Sequence, residues 1–185
     1  EKLPDAIIYL LNLRGLIYVI QDTRGRYVSE GIDSVFINDG WGALQDGYDT
    51  IDWLVQQEWC NGKIGQFGPS ANGITTLRSA GALHPNLVVA VPLVAPTDFY
   101  NQVIFPGGEH RKALIENWIS GQGSDYMIDY YMQYPYYNSF WDLMNVKTRY
   151  SMIQIPMLHI GGWYDCFSEG TIDAFLGLSA NDDAG

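Results

Sequence analysis

Two short turns hold the residues best suited to chemistry. Gly68-Pro69-Ser70-Ala71-Asn72-Gly73 places one serine among small neighbours. A nucleophilic serine at the tip of a sharp strand-to-helix turn requires such neighbours, because bulky side chains would clash with its backbone. The elbow pattern usually has glycine two residues after the serine; here that position is Asn72 and the glycine is Gly73. A helix starting after Ser70 would turn its dipole toward a developing oxyanion, with the Ala71 amide as one donor. The bland alternative for Ser70 is a helix N-cap, a position that serine commonly fills. The second turn, Gly161-Gly162-Trp163-Tyr164-Asp165-Cys166, follows a short apolar run. In open parallel sheets functional groups gather just beyond the carboxyl ends of strands, which suits Asp165 as an orienting carboxylate. A turn aspartate satisfied by nearby amides is the competing reading.

The elements that must position these turns show in the apolar pattern. Leu16-Ile17-Tyr18-Val19-Ile20 reads as a strand buried on both faces. Tyr48, Ile51, Leu54 and Val55 recur at helical spacing behind Asp46 and Asp49, first-turn acids that compensate the helix dipole rather than pair for acid/base work. Asn61-Gly62 forces a turn. Residues 63–67 then read as a strand, 74–83 as a helix and 87–94 as a strand. Strand, helix and strand alternating with continuous apolar strands predict a parallel sheet covered on both faces. Residues 97–145 break the pattern and hold twelve of the 26 aromatic residues, with a helix expected over 111–119. That enrichment predicts an inserted helical cap between a first part of the core, 1–96, and a second part, 146–185. The alternation resumes with a strand over 155–160 and a helix over 171–178.

Composition narrows the partners. Ten basic against 21 acidic residues give a net charge of −11 with no basic cluster, which argues against a nucleic-acid backbone. The nine apolar positions from Leu87 to Ala95 fall well short of the roughly 20 that a membrane helix needs. Cys60 and Cys166 form no ligand cluster and read as buried thiols, so no metal or cofactor is expected. Glu1 to Pro4 carry no pattern of a secretory signal, and the compartment is left open.

Taken in order, Gln21-Asp22-Thr23-Arg24-Gly25-Arg26 with Ser29-Glu30-Gly31, Asp46 to Leu54, Trp59 to Gly65, the Ser70 turn, Pro106-Gly107-Gly108 and Gly161 to Asp165 resemble the cocaine-esterase and X-Pro dipeptidyl-peptidase family of serine hydrolases. The resemblance implies an α/β-hydrolase, with a doubly wound, mostly parallel sheet and the inserted cap. It implies Ser70 as nucleophile, Asp165 as triad acid and the Ala71 amide as oxyanion donor, in the chain order Ser, Asp, His. Family members more often have Tyr where this chain has Ala71. The substrate class it implies is a small ester or amide, or a short peptide, with Phe105, Trp163 and Tyr164 expected to line an apolar acyl pocket; a homo-oligomer is compatible with it. Asp22, Arg24 and Arg26 are expected to hold their own loop together.

Two expected parts have no counterpart. No histidine follows Asp165, and His84, His110 and His159 read as surface or core residues. Nothing in residues 1–14, Tyr9 included, matches the segment that supplies the family's oxyanion tyrosine. The expectation is therefore a chain truncated at both ends, nearly inactive by itself, from an esterase or acylase. The alternatives are an X-Pro dipeptidyl-peptidase, an α-amino acid ester hydrolase, or a hydrolase scaffold retained for binding.

Overall fold

The computed structural model describes residues 5–180; Glu1 to Pro4, where no signal is read, and residues 181–185 of the second core segment lie outside them. The chain divides between Asp33 and Ser34 into two compact units. No helix among the described residues is long and apolar enough to cross a membrane.

The first unit holds helix α1 (Asp5–Leu13) and a self-bonded loop. The sequence pattern does not predict this helix, and α1 buries none of its residues. Gly25 at φ +73 approaches the Asp33 backbone so closely that a Cβ would sit 2.1 Å from Asp33 N. The Ser29 hydroxyl donates to the Asp22 carbonyl at 2.6 Å, and Arg26 lies 3.8 Å from Asp33. These contacts fit the loop-holding role expected of Asp22 and Arg26. Residues 16–20 are a correction: they form no strand, and Leu16, Ile17 and Ile20 are exposed. An apolar β-branched run reports willingness to pair, whereas a strand exists only where a neighbour completes its ladder.

In the second unit α2 (Asp46–Val55) buries Ile51 and Leu54 and packs on α3 (Ala71–Ala82). Strands β1 (Ile64–Pro69) and β2 (Leu87–Leu93) run parallel, with α3 as their crossover. Residues 156–160 add a third parallel lane beside β2: the Leu158 amide donates to the Ala90 carbonyl at 3.1 Å and the Val94 amide to the Ile160 carbonyl at 2.8 Å. The expected strand over 155–160 is thus present as a looser lane. Coverage of both sheet faces is met only in part. Leu87 and Ala90 are buried under α3, but Phe67, Val88 and Val89 are each more than a third exposed.

Between β2 and the third lane run a π-helical turn (Tyr100–Ile104), a 3-10 turn (Pro106–Gly108), α4 (Lys112–Gly121), α5 (Tyr126–Met132), α6 (Ser139–Asp142) and a 3-10 segment (Val146–Met152). The aromatic residues crowded there pack on one another. Tyr131 stacks on Trp141 with centroids 5.7 Å apart, and Tyr134 on Phe140 at 4.1 Å. The indole of Trp141 donates to the Tyr134 carbonyl and the Tyr131 hydroxyl to the Val35 carbonyl, so the polar tips of these buried rings are satisfied. This segment leaves and rejoins the core at one place. The Phe99 amide donates to the Met144 carbonyl and the Val146 amide to the Thr97 carbonyl, at 3.3 and 2.7 Å. Helix α7 (Ser168–Ser179) follows the third lane.

Two glycines let α3 meet the sheet. A Cβ on Gly68 would lie 2.3 Å from Asn72 Cβ, and one on Gly73 would lie 2.7 Å from the Leu93 oxygen and 2.9 Å from the Gly68 oxygen. The two oxygens are backbone atoms, which cannot swing away, and Ala95 Cβ stands at 2.9 Å as well. Gly73→Ala should therefore destabilise the fold by about 1–3 kcal/mol. Thermal unfolding should show a midpoint several degrees lower, and an unchanged midpoint would contradict this packing.

Candidate active site

Ser70 stands between the last residue of β1 and the first of α3, at φ 53° and ψ −118°. Positive φ is uncommon for a residue with a Cβ and costs of order 1–3 kcal/mol. The conformation is held by the Ser70 amide, which donates to the Leu93 carbonyl at 2.9 Å, and by the Ser70 carbonyl, which accepts from Ile74 at 2.9 Å. The side chain makes no capping hydrogen bond and the residue is exposed. That disfavours the N-cap reading, in which the hydroxyl would engage an amide of the first turn. Ala71 opens α3, where helix geometry leaves the first amides without intrahelical acceptors.

Asp165 sits in the turn between the third lane and α7. Its Oδ1 accepts from the Phe167 amide at 2.7 Å, its carbonyl accepts from Ser168 at 3.2 Å, and its own amide donates to the Gly162 carbonyl. The local-satisfaction reading therefore describes one carboxylate oxygen; among the described residues the side chain has no second hydrogen bond. Ser70 follows Pro69 and the Asp165 turn follows Ile160, while β2 ends at Leu93 between them. Both turns thus emerge from the carboxyl edge of one parallel array, two strand spacings apart, roughly 10 Å.

The expected acyl-pocket residues separate. Trp163 and Tyr164 are fully in solvent beside Asp165. Phe105 is buried, 5% exposed and packed against Tyr100, His110 and Trp141. An aromatic residue within a buried ring cluster contributes more by burial there than at a solvent-lined wall. Cys166 is exposed rather than buried, because it occupies the turn and not a packed element; Cys60 is half-buried. Desolvation and the neighbouring Asp165 carboxylate push the Cys166 thiol up, the wrong direction for a reactive thiolate.

The three histidines are placed as structural residues. His84 is buried at the end of α3, its Nδ1 accepting from the Asn86 amide at 3.1 Å and its ring 4.4 Å from that of Tyr48. His110 faces Glu116, with Nε2 3.4 Å from a carboxylate oxygen. His159, in the third lane, has its basicity lowered by burial.

Sequence reasoning missed the polar contacts that dock α7. Gln102 is buried; its Oε1 accepts from the Thr97 and Asp98 amides at 2.9 and 3.1 Å, and its Nε2 donates to Asp173 Oδ2 at 2.8 Å. Lys147 donates to the same oxygen at 2.6 Å. No local pattern flags this set, because Gln102 and Asp173 lie 71 positions apart. Asp98, also buried, gives one carboxylate oxygen to the Asn101 amide and the other to the Asn101 side chain.

Residues 10–129 and 122–184 match the model of X-Pro dipeptidyl-peptidase (S15 family). Cocaine esterase of Rhodococcus sp. (strain MB1 Bresler) is 25% identical over 217 residues, an alignment covering 92% of this chain and 37% of that protein. A CocE/NonD family hydrolase from Staphylococcus aureus superposes with a TM-score of 0.72 at 25% identity, over 83% of this chain and 29% of that one. An α-amino acid ester hydrolase shares the fold with a TM-score of 0.72 at 22% identity, over 96% of this chain and 36% of that one. The chain spans about a third of the length of these relatives. With the family model matched from residue 10 to residue 184 and an α/β-hydrolase-like arrangement of parallel strands and helices beneath it, this chain is a member of the X-Pro dipeptidyl-peptidase (S15) family.

Proposed function

We propose that this chain carries the nucleophile and the acid of a serine hydrolase that cleaves small ester or amide bonds through an acyl-enzyme. The observation that carries the reading is Ser70: an exposed hydroxyl, free of any cap bond, on a backbone held at φ 53° between a strand and a helix. Such strain survives only where surrounding structure enforces it, and it gathers at functional sites.

In this reading Ser70 Oγ attacks the substrate carbonyl carbon while a histidine, contributed by polypeptide outside residues 1–185, accepts the hydroxyl proton. The carbonyl oxygen becomes an oxyanion facing the Ala71 amide and the positive end of α3. Collapse of the tetrahedral species breaks the bond to the leaving alcohol or amine, which takes its proton from the imidazolium. Water then repeats the sequence on the ester at Ser70 and releases the acid. Asp165 fixes the tautomer of the histidine and stabilises its cation without itself taking the proton. The roughly 10 Å between the two turns suits an imidazole bonded to both.

An esterase or acylase fits the surroundings better than an enzyme that grips a free α-amine. Amine recognition needs accessible carboxylates, whereas Asp98 is buried and hydrogen-bonded to Asn101 through both oxygens. Trp163 and Tyr164 present exposed aromatic surface beside the acid turn for an apolar substrate group.

Treating the complete natural polypeptide with a fluorophosphonate should place an adduct on Ser70, located by peptide mass spectrometry. Absence of that adduct would overturn the reading and leave a hydrolase scaffold kept for binding.

A further inference from the structure

Resting on the assignment of Asp165 as triad acid, we propose that Gln102 is a positioning residue, one that sets where Asp165 stands relative to Ser70 by docking α7 on the segment after β2. Among the described residues the hydrogen bonds of Asp165 are local, and the carbonyl of the next residue, Cys166, accepts from the Arg111 guanidinium at 3.5 Å. The bonds of Asp165 to Phe167 and Ser168 make its turn an extension of α7, and the Thr171 amide continues that helix by donating to the Phe167 carbonyl. Wherever α7 moves, the carboxylate moves with it.

Helix α7 is held by the Val146–Met152 segment, by Gly161 against Thr171 and by residues 95–102, and the last of these also reaches the helix after Ser70. At Gly170 a Cβ would come within 2.6 Å of Pro96 Cα, 2.8 Å of Gln102 Oε1 and 3.0 Å of the Ala95 oxygen. One turn further on, Asp173 receives the Gln102 amide. The opposite side of the same segment meets the Ser70 elbow: a Cβ on Gly73 would approach the Leu93 oxygen and, at 2.9 Å, Ala95 Cβ. A single thickness of backbone therefore separates the helix that follows the nucleophile from the helix that carries the acid. Gln102 ties this spacer to α7 in both directions at once, accepting from Thr97 and Asp98 and donating to Asp173. Charged and titratable groups facing it from the other packed elements are Lys147, which shares Asp173; Tyr150, held near Thr97; Asp98; and Arg111, whose guanidinium donates to the Gln102 carbonyl at 3.3 Å.

The chemistry makes this testable. Gln102→Glu keeps the acceptor for Thr97 and Asp98 but sets a second carboxylate against Asp173 where a donor stood. The reciprocal change Asp173→Asn restores one donor and one acceptor across the contact. In the full-length enzyme hydrolysing p-nitrophenyl acetate, Gln102→Glu should lower kcat about 10- to 100-fold with KM little changed, the loss typical of a misplacement near 1 Å. A carboxylate beside an imidazole favours its cation and raises its pKa. Displacing Asp165 should therefore move the acidic limb of the kcat/KM profile to lower pH, and the double variant should return both limb and kcat toward the parent values. Gly170→Ala pushes α7 through a different contact and should move the limb in the same direction.

A lower kcat with an unmoved limb, in either Gln102→Glu or Gly170→Ala, would mean only a smaller folded fraction and would overturn the inference. So would a double variant no better than Gln102→Glu. Failure of the underlying assignment reads differently: Asp165→Asn would then leave the parent enzyme's limb and kcat unchanged.

Discussion

Ser70→Ala in the full-length enzyme should lower kcat by about 10⁴- to 10⁶-fold, leaving the residual rate that oxyanion stabilisation and binding supply by themselves. Removing Oγ deletes the bond-forming atom, and nothing nearby replaces it: the Cys166 thiol is pushed toward its protonated form by desolvation and by Asp165. The backbone offers a control on the cause. Alanine at φ 53° bears the same left-handed strain as serine, whereas glycine relieves of order 1–3 kcal/mol, against about 0.5–1 kcal/mol of added unfolded-state entropy. Ser70→Gly should thus be as inactive as Ser70→Ala yet melt at or above it. Turnover of ester within tenfold of the parent in either variant would sink the nucleophile assignment. A glycine variant melting well below the alanine one would remove the argument from strain.

The second large effect concerns the acid. Asp165→Asn retains an oxygen for the Phe167 amide, which donates at 2.7 Å in the parent, so the turn should keep its shape. The negative charge is lost, and with it the stabilisation of the imidazolium and the choice of tautomer. The expected loss is about 10⁴-fold in kcat with little change in KM. The acidic limb of kcat/KM should move to lower pH, because a histidine without its carboxylate gives up its proton more readily. Steady-state kinetics across pH 5 to 9 reads both quantities. A loss below tenfold would make Asp165 a turn residue whose only work is the local hydrogen bond.

How much of this was legible depended on whether the determining contacts were local. The Ser70 turn was readable because Gly68 and Gly73 mark close backbone approach on either side of it, and small residues in a row are visible in any sequence. The helix behind it was placed at 74–83 but begins at Ala71, because a strained serine without a cap bond leaves no ordinary start signal. Helix α7 likewise begins at Ser168, ahead of the expected Thr171, with Phe167 as an N-cap that offers no side-chain acceptor. Residues 16–20 failed as a strand because pairing is decided by partners that a local pattern cannot name. The packing of Phe105 was hidden for a related reason: crowded aromatic residues read the same whether they face a ligand or one another, and its contacts with Tyr100, His110 and Trp141 appear only in the fold. The family resemblance supplied roles for Ser70, Ala71 and Asp165 that spacing alone left even with bland readings. It offered nothing on Gln102, whose function lies in contacts made across 71 positions.

The backbone bonds that join Phe99 to Met144 and Val146 to Thr97 have a consequence for how such a protein can diverge. The polypeptide departs from the parallel array and returns to it across one ladder spacing, so the ladder itself sets no length for what is strung between those points. Closing a longer excursion adds only about 0.6 kcal/mol for each doubling of its length. Exchange of the stretch beyond Gln102 and Arg111 for one of another size can keep both ladder bonds, whereas Gln102 and Arg111, which reach Asp173 and the Cys166 carbonyl, have to stay. In the proposed hydrolase, selectivity can therefore be rewritten by insertion and deletion in that stretch, provided that the contacts to α7 are kept.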